Sequence, residues 1–210
     1  MRLAAGVAAA GLLLTGCSGA ASGHDHAAGT AVASVSAPKQ KYAGVNLAEP
    51  YRRPSFTLTD TAGKPYDFKA LTDGRPTLLY FGYTRCPDVC PTTLADIAVA
   101  LRGVPADVAK QVRVVFVTTD PGYDTPAVLG EYLHRFDADL PVQFVGLTGT
   151  QALIDQAQLS AGVPVAEDDG KTHSSLLLLY GKDDAAHVAF DQGNTPHDIA
   201  SDLKQVVAAS

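Results

Sequence analysis

Apolar positions along the chain follow two different periods. Three runs are almost free of polar interruption: Thr77-Leu78-Leu79-Tyr80-Phe81, Val112-Arg113-Val114-Val115-Phe116-Val117 and Leu176-Leu177-Leu178-Leu179-Tyr180. Such runs are expected of strands covered on both faces. Between and after them the apolar residues recur at helical spacing, as Leu94, Ile97, Ala98 and Leu101, and again as Ile199, Leu203 and Val206. Pro91 is tolerated at a first helical position and places one helix start there. Thr125 followed by Pro126 opens a helix through about Phe136, and Thr195-Pro196-His197-Asp198 opens the last one. The remaining pattern gives a strand over 142–147, a short helix over 151–159 capped by Thr148 or Thr150, and a strand over 186–190 reached by a hairpin across 181–184. Near the front, Ser55-Phe56-Thr57-Leu58-Thr59 alternates as a strand, 60–64 contains Gly63 and turns, and Tyr66-Asp67-Phe68 returns as its partner.

Strands and helices alternate through the middle, and a hairpin plus a helix closes the chain. This order predicts an α/β, thioredoxin-like fold with a β-hairpin added on the N-terminal side. The polar, turn-rich 162–171 reads as a hairpin loop inserted before His173. A chain of 210 residues suits one domain with extensions. The net charge of -6 and the absence of any basic cluster argue against a nucleic-acid partner.

Met1-Arg2 and the apolar run 3–14 have the form of an export signal too short to span a bilayer. The run ends in Leu14-Thr15-Gly16-Cys17, which resembles the bacterial lipobox, so 1–16 is expected to be removed and Cys17 to carry lipid. That places the protein at the cell membrane, lipid-anchored on its extracytoplasmic face. Residues 17–50, rich in Ala, Ser and Gly, read as a flexible tether, and 51–207 as the folded domain. His24-Asp25-His26 in the tether could hold a copper or zinc ion loosely, but a solvated polar patch is the favoured reading.

With Cys17 lipidated, Cys86 and Cys90 remain as the thiols, at the junction where a buried strand gives way to a helix. A helix N-terminus favours anions, so the sequence predicts lowered pKa values for both, with Arg85 adding to the effect. An exported pair of this kind is a structural disulfide, a redox pair or a metal site. A bridge closing so small a loop would stabilise the fold little. His173 precedes a strand expected to neighbour the central one, and it stands where thioredoxins carry a cis-proline, which makes it the candidate third ligand. Two thiolates and an imidazole select Cu(I) and also accept Cu(II), with water or a carboxylate such as Asp88 completing the latter. Structural zinc nearly always takes four protein ligands, and three strong ones are visible. Asp120 ends a central strand, where α/β folds place functional groups, and is expected to support the site from outside the ligand set; it could equally be a turn-forming Asp before proline.

Three segments, Gly82-Tyr83-Thr84-Arg85-Cys86-Pro87-Asp88-Val89-Cys90-Pro91, Asp120-Pro121-Gly122-Tyr123-Asp124-Thr125-Pro126 and His173-Ser174, resemble the motifs of the Sco (SenC) family of copper chaperones in order and spacing. The resemblance implies a thioredoxin-like domain that binds one copper through Cys86, Cys90 and His173. It also implies a role in assembling the binuclear copper centre of cytochrome c oxidase subunit II, with a periplasmic-type copper donor as a further partner. Thr172 and Tyr123 depart from the family pattern, which usually has Asp and Arg there. The chief rival is a thiol-disulfide oxidoreductase that uses Cys86 and Cys90 to reduce the oxidase cysteines. Three residues between the cysteines, where such enzymes typically carry two, speak against it. A peroxidase of the peroxiredoxin type lacks its Pro and Thr ahead of Cys86, and an inert structural lipoprotein leaves His173 and the Asp120 motif without purpose.

Overall fold

The computed structural model describes residues 40–168 and 170–209. The signal segment 1–16, Cys17, and His24 and His26 lie outside them. The domain is built on one eight-stranded sheet in the order β1-β8-β7-β4-β5-β6-β2-β3. At its centre β4 (Thr77–Gly82), β5 (Arg113–Thr118) and β6 (Val145–Thr148) run parallel. Flanking them, β7 (Leu177–Tyr180) and β8 (Ala185–Phe190) are antiparallel, and so is the hairpin β2 (Thr57–Asp60) and β3 (Pro65–Asp67) on the far edge.

Alternation along the central strands explains their unbroken apolar runs. Leu78 and Tyr80 of β4, Val114 and Phe116 of β5, and Leu177 and Leu179 of β7 face one layer. That layer is formed by α2 (Val89–Arg102), the single turn α3 (Ala106–Ala109), α4 (Pro126–Asp137) and α6 (Pro196–Ala208), through Leu94, Ile97, Ala109, Leu129, Leu133, Ile199 and Leu203. Leu79, Phe81, Val115, Val117, Leu178 and Tyr180 face the other, against Phe68 of α1 (Phe68–Thr72) and Ile154 and Ala157 of α5 (Gln151–Ser160). With both faces covered, every residue of β4 and β7 is buried. The helix starts follow the sequence signals: Thr125, Thr150 and Thr195 each accept a backbone N–H as N-cap, the last in a capping box with Asp198.

Three features differ from the sequence expectation. Helix α2 begins at Val89, two residues before Pro91, which puts Cys90 inside the first turn. Asp67 caps the short helix α1, so the return strand of the front hairpin stops one residue before Phe68. Strand β1 (Val45–Arg52) takes in residues 45–50, which composition assigns to the tether. It pairs antiparallel with β8 across an irregularity between Asn46 and Tyr51, and that break hides the alternating pattern. Buried Asp202 of α6 holds its approach by accepting the backbone N–H groups of Ala43 and Gly44, both at 2.9 Å. Buried Arg53 then ties the end of β1 inward, donating to Asp184, Thr72, Thr77 and the carbonyls of Arg75 and Gly181. Among the described residues no helix is long and apolar enough to cross a membrane.

Candidate metal centre

Topology brings three loops to one edge of the sheet. Strands β4 and β5 are parallel, so the cysteine loop that follows β4 and the 119–125 loop that follows β5 emerge side by side. Strand β7 runs antiparallel to β4, so the residues that precede it, His173 among them, arrive at the same end. Ligands bind at this edge in open α/β sheets.

Cys86 Sγ, Cys90 Sγ and a ring nitrogen of His173 all lie within 4.8 Å of one another, the one such group of His, Cys, Asp and Glu side chains among the described residues. Cys90 Sγ and His173 Nε2 are 3.7 Å apart. His173 Nδ1 lies 2.9 Å from the Ser174 carbonyl oxygen. A carbonyl only accepts, so Nδ1 carries the hydrogen and the lone pair on Nε2 faces the sulfurs. Tyr80 and Tyr83 meet the imidazole edge to face, at ring separations of 6.3 and 5.7 Å, and fix its plane.

The two sulfurs are unequal, contrary to the expectation of two low-pKa thiols. Both are free. Cys90 is fully buried against Tyr80, whose hydroxyl donates to its sulfur at 3.7 Å. Burial pushes its thiol up to about 12. Cys86 is half-buried, and burial alone would raise it too. Hydrogen bonds from the backbone N–H groups of Cys90, Asp88 and Val89 outweigh that, and the thiol sits below its ordinary value. The Cys90 N–H reaches Cys86 Sγ at 3.3 Å. The helix N-terminus therefore favours the sulfur just outside it, while the one within its first turn is shielded from water. Gly82 makes room for that second sulfur, since a Cβ there would stand 2.8 Å from Cys90 Sγ.

The loops are fastened to one another by residues outside the Cys86, Cys90 and His173 cluster. Buried Asp124 accepts the Thr84 N–H at 3.0 Å, the Thr84 hydroxyl, and the Thr118 hydroxyl at 2.6 Å. The Thr118 oxygen in turn accepts the Asp120 N–H at 2.9 Å. Thr119 donates to the Gly170 carbonyl at 2.7 Å, joining this loop to the hairpin before His173, which closes through paired backbone bonds between Glu167 and Thr172. Asp120 pairs with Arg85 at 2.7 Å, and the same guanidinium lies 4.0 Å over the Tyr123 ring. Asp88 is exposed at the N-cap of α2, makes no side-chain capping bond, and is not part of the Cys86, Cys90 and His173 cluster. Thr172 is exposed and bonds Asp168. Sequence reasoning singled out Asp120 and passed over Asp124, although Asp124 also lies in the loop motif; what marks it is burial, visible only once the loops are folded together.

The SCO1/SenC family model matches residues 46–208. An SCO2-like protein of Rickettsia felis is 32% identical over 185 residues, 81% of this chain and 86% of that one. Other curated relatives are spanned less fully, 64% of a Stutzerimonas stutzeri protein and 37% of mitochondrial SCO1 of Saccharomyces cerevisiae. Among solved structures, copper-bound ScoI of Bradyrhizobium japonicum is 36% identical, with a TM-score of 0.60 over 75% of this chain and 98% of that one. BsSco, described as a member of the Sco family of cytochrome c oxidase assembly proteins and as containing a disulfide switch, is 27% identical, with a TM-score of 0.60 over 79% and 99%. Fold, loop motifs and matched span agree: the chain belongs to the SCO1/SenC family.

Proposed function

We propose that this protein is a copper chaperone that binds one copper ion through Cys86 Sγ, Cys90 Sγ and His173 Nε2, and helps assemble the binuclear copper centre of cytochrome c oxidase subunit II. The observation that carries this reading is the convergence of two sulfurs and an oriented imidazole within 4.8 Å, from segments 83 positions apart in sequence. Two soft thiolates with one imidazole suit Cu(I), and three ligands leave a coordination position for an incoming group. The copper is cargo. Cys86 and His173 line an open depression of about 380 Å³, whereas Cys90 is buried behind them. A recipient's ligands thus meet Cys86 and His173 first, and Cys90 releases last.

Anaerobic Cu(I) titration with X-ray absorption tests the ligand set. The wild type is expected to take up one ion with both sulfurs and one nitrogen bound, and His173→Ala to lose the nitrogen and bind at least tenfold more weakly. Unchanged binding in the variant would reject the trio. Lipidation at Cys17 and attachment to the extracytoplasmic face of the cell membrane belong to the same proposal; they predict that Cys17→Ser moves the protein to the soluble fraction.

A second reading, thiol-disulfide exchange with the oxidase cysteines, draws support from the unequal exposure of Cys86 and Cys90, an accessible sulfur within reach of a shielded one. Retained reductase activity in His173→Ala, with copper binding lost, would assign the physiological role to this chemistry.

A further inference from the structure

A groove leads away from the ligand depression along the first turns of α2. Asp88, Val89, Ser175 and Gln192 line both the depression that holds Cys86 and His173 and a neighbouring one of about 170 Å³, so the two are continuous. The far part has a buried apolar floor of Leu177, Phe190 and Ile199. Its lining carries three carboxylates, Asp88, Asp96 and Asp191. None of them enters an ion pair among the described residues, and Lys171 is the one Lys or Arg among the described residues lining either depression. Burial pushes the Asp96 carboxyl up, as it does for an acid that loses water without gaining a counter-ion.

We propose that this groove docks an extended segment of the copper-exchanging partner, one that presents lysine or arginine beside its own copper-ligating residues. This rests on the chaperone reading above. An apolar floor rimmed by one sign of charge focuses its field on an opposite charge and raises the rate of encounter. Asp88 lies two residues from each cysteine, so a chain held over the groove delivers its next residues to Cys86 and His173. The stem of a lysine or arginine covers the floor of Leu177, Phe190 and Ile199 while its cationic head meets Asp96 or Asp191. Transfer is ligand exchange alone: copper stays Cu(I), the acceptor thiols give up protons as they bind, and the domain's sulfurs regain them.

The test uses two synthetic acceptor peptides with the same Cys-x3-Cys core, one flanked by lysines and one by glutamates, each first calibrated for its own Cu(I) affinity. Stopped-flow transfer from the copper-loaded wild-type protein is expected to be about tenfold faster to the lysine peptide at low salt. The advantage should collapse near 0.5 M salt and in Asp96→Asn/Asp191→Asn, which keeps the copper affinity and melting temperature of the wild type. Equal rates for the two peptides, or an advantage that survives in the double variant, overturns the proposal. So does salt-sensitive self-association that the double variant abolishes, which would give the groove to a second copy of the chain. Failure of the wild type to load copper through the trio would instead overturn the chaperone reading, before any transfer is measured.

Discussion

Asp124→Ala removes the residue on which the cysteine loop hangs, and its cost can be worked from the structure. Three donors converge on the buried carboxylate: the Thr84 N–H, the Thr84 hydroxyl and the Thr118 hydroxyl. A hydrogen bond to a charged group contributes about 1.5–3 kcal/mol, and a buried donor left unpaired costs about 1–3 kcal/mol. Both hydroxyls can rotate to other acceptors, whereas the Thr84 N–H cannot. The net loss should therefore be about 3–5 kcal/mol, which for a domain of this size lowers the melting temperature by about 6–20 °C. Asn in the same place keeps one acceptor oxygen but turns an NH2 toward donors, so Asp124→Asn should recover less than half of that loss. Thr84 stands two residues before Cys86, so a freed loop also orders Cys86 less well before copper arrives. Cu(I) affinity, measured by competition with a colorimetric chelator at a temperature where the variant is folded, should fall by at least tenfold. A melting temperature within 2 °C of wild type, with unchanged affinity, would refute the claim that Asp124 holds the loop.

Other perturbations read different parts of the fold. Gly82→Ala places a Cβ 2.8 Å from Cys90 Sγ and 3.1 Å from both the Phe116 and Tyr80 rings, so it should weaken copper binding more than it lowers the melting temperature. Equal copper affinity in a folded variant would count against the close fit of strand and sulfur. Iodoacetamide at pH 8 should modify Cys86 and spare Cys90 in the folded apo domain: the lowered Cys86 supplies more thiolate than an ordinary cysteine, whereas a thiol near 12 is ionised in about one molecule in ten thousand. Peptide mapping that finds both labelled at similar rates would contradict this asymmetry. Arg53→Lys keeps the charge but loses the planar fork that reaches five partners, and should cost about 2–4 kcal/mol in denaturant unfolding with copper affinity unchanged. Asp198 is held below the usual carboxylate range by the N–H and hydroxyl of Thr195, so its contribution is present above the unfolded-state value near 3.9. It fades as pH falls through the lower folded value, and the acid melting curve of Asp198→Asn should converge on that of wild type there.

What could be read from the sequence was what local chemistry decides. Nearly unbroken apolar runs located β4, β5 and β7 because strands covered on both faces leave few positions for polar residues. Thr-Pro pairs located α4 and α6 because a cap and a fixed φ are local properties. Cys86, Cys90 and His173 were legible as a set because the predicted strand order alone brings their loops to one edge. Strand β1 was not: its residues are mostly exposed or half-buried, and what holds them is pairing with β8, the Asp202 carboxylate and the Arg53 anchor, all distant in the chain. Nor was the two-residue difference in where α2 begins, and it changed the chemistry of Cys90.

That small shift explains why one helix start can give two sulfurs opposite character. A helix N-terminus stabilises an anion only where its free N–H groups point, and here these converge on the sulfur of Cys86, three residues before the helix. Cys90, in the first turn, directs its sulfur toward the sheet and packs against Tyr80 and the bare face of Gly82. Protonated and shielded, it has little tendency to react with solvent oxidants or stray thiols. A soft metal that displaces its proton gains a thiolate in a water-poor place, where the bond is strongest. Under the proposed function, Cys86 and His173, facing the open side, would be the ligands another protein reaches. On that reading the division would let one site hold its cargo firmly and still surrender it by steps, and the division itself follows from the register of a single helix against the strand before it.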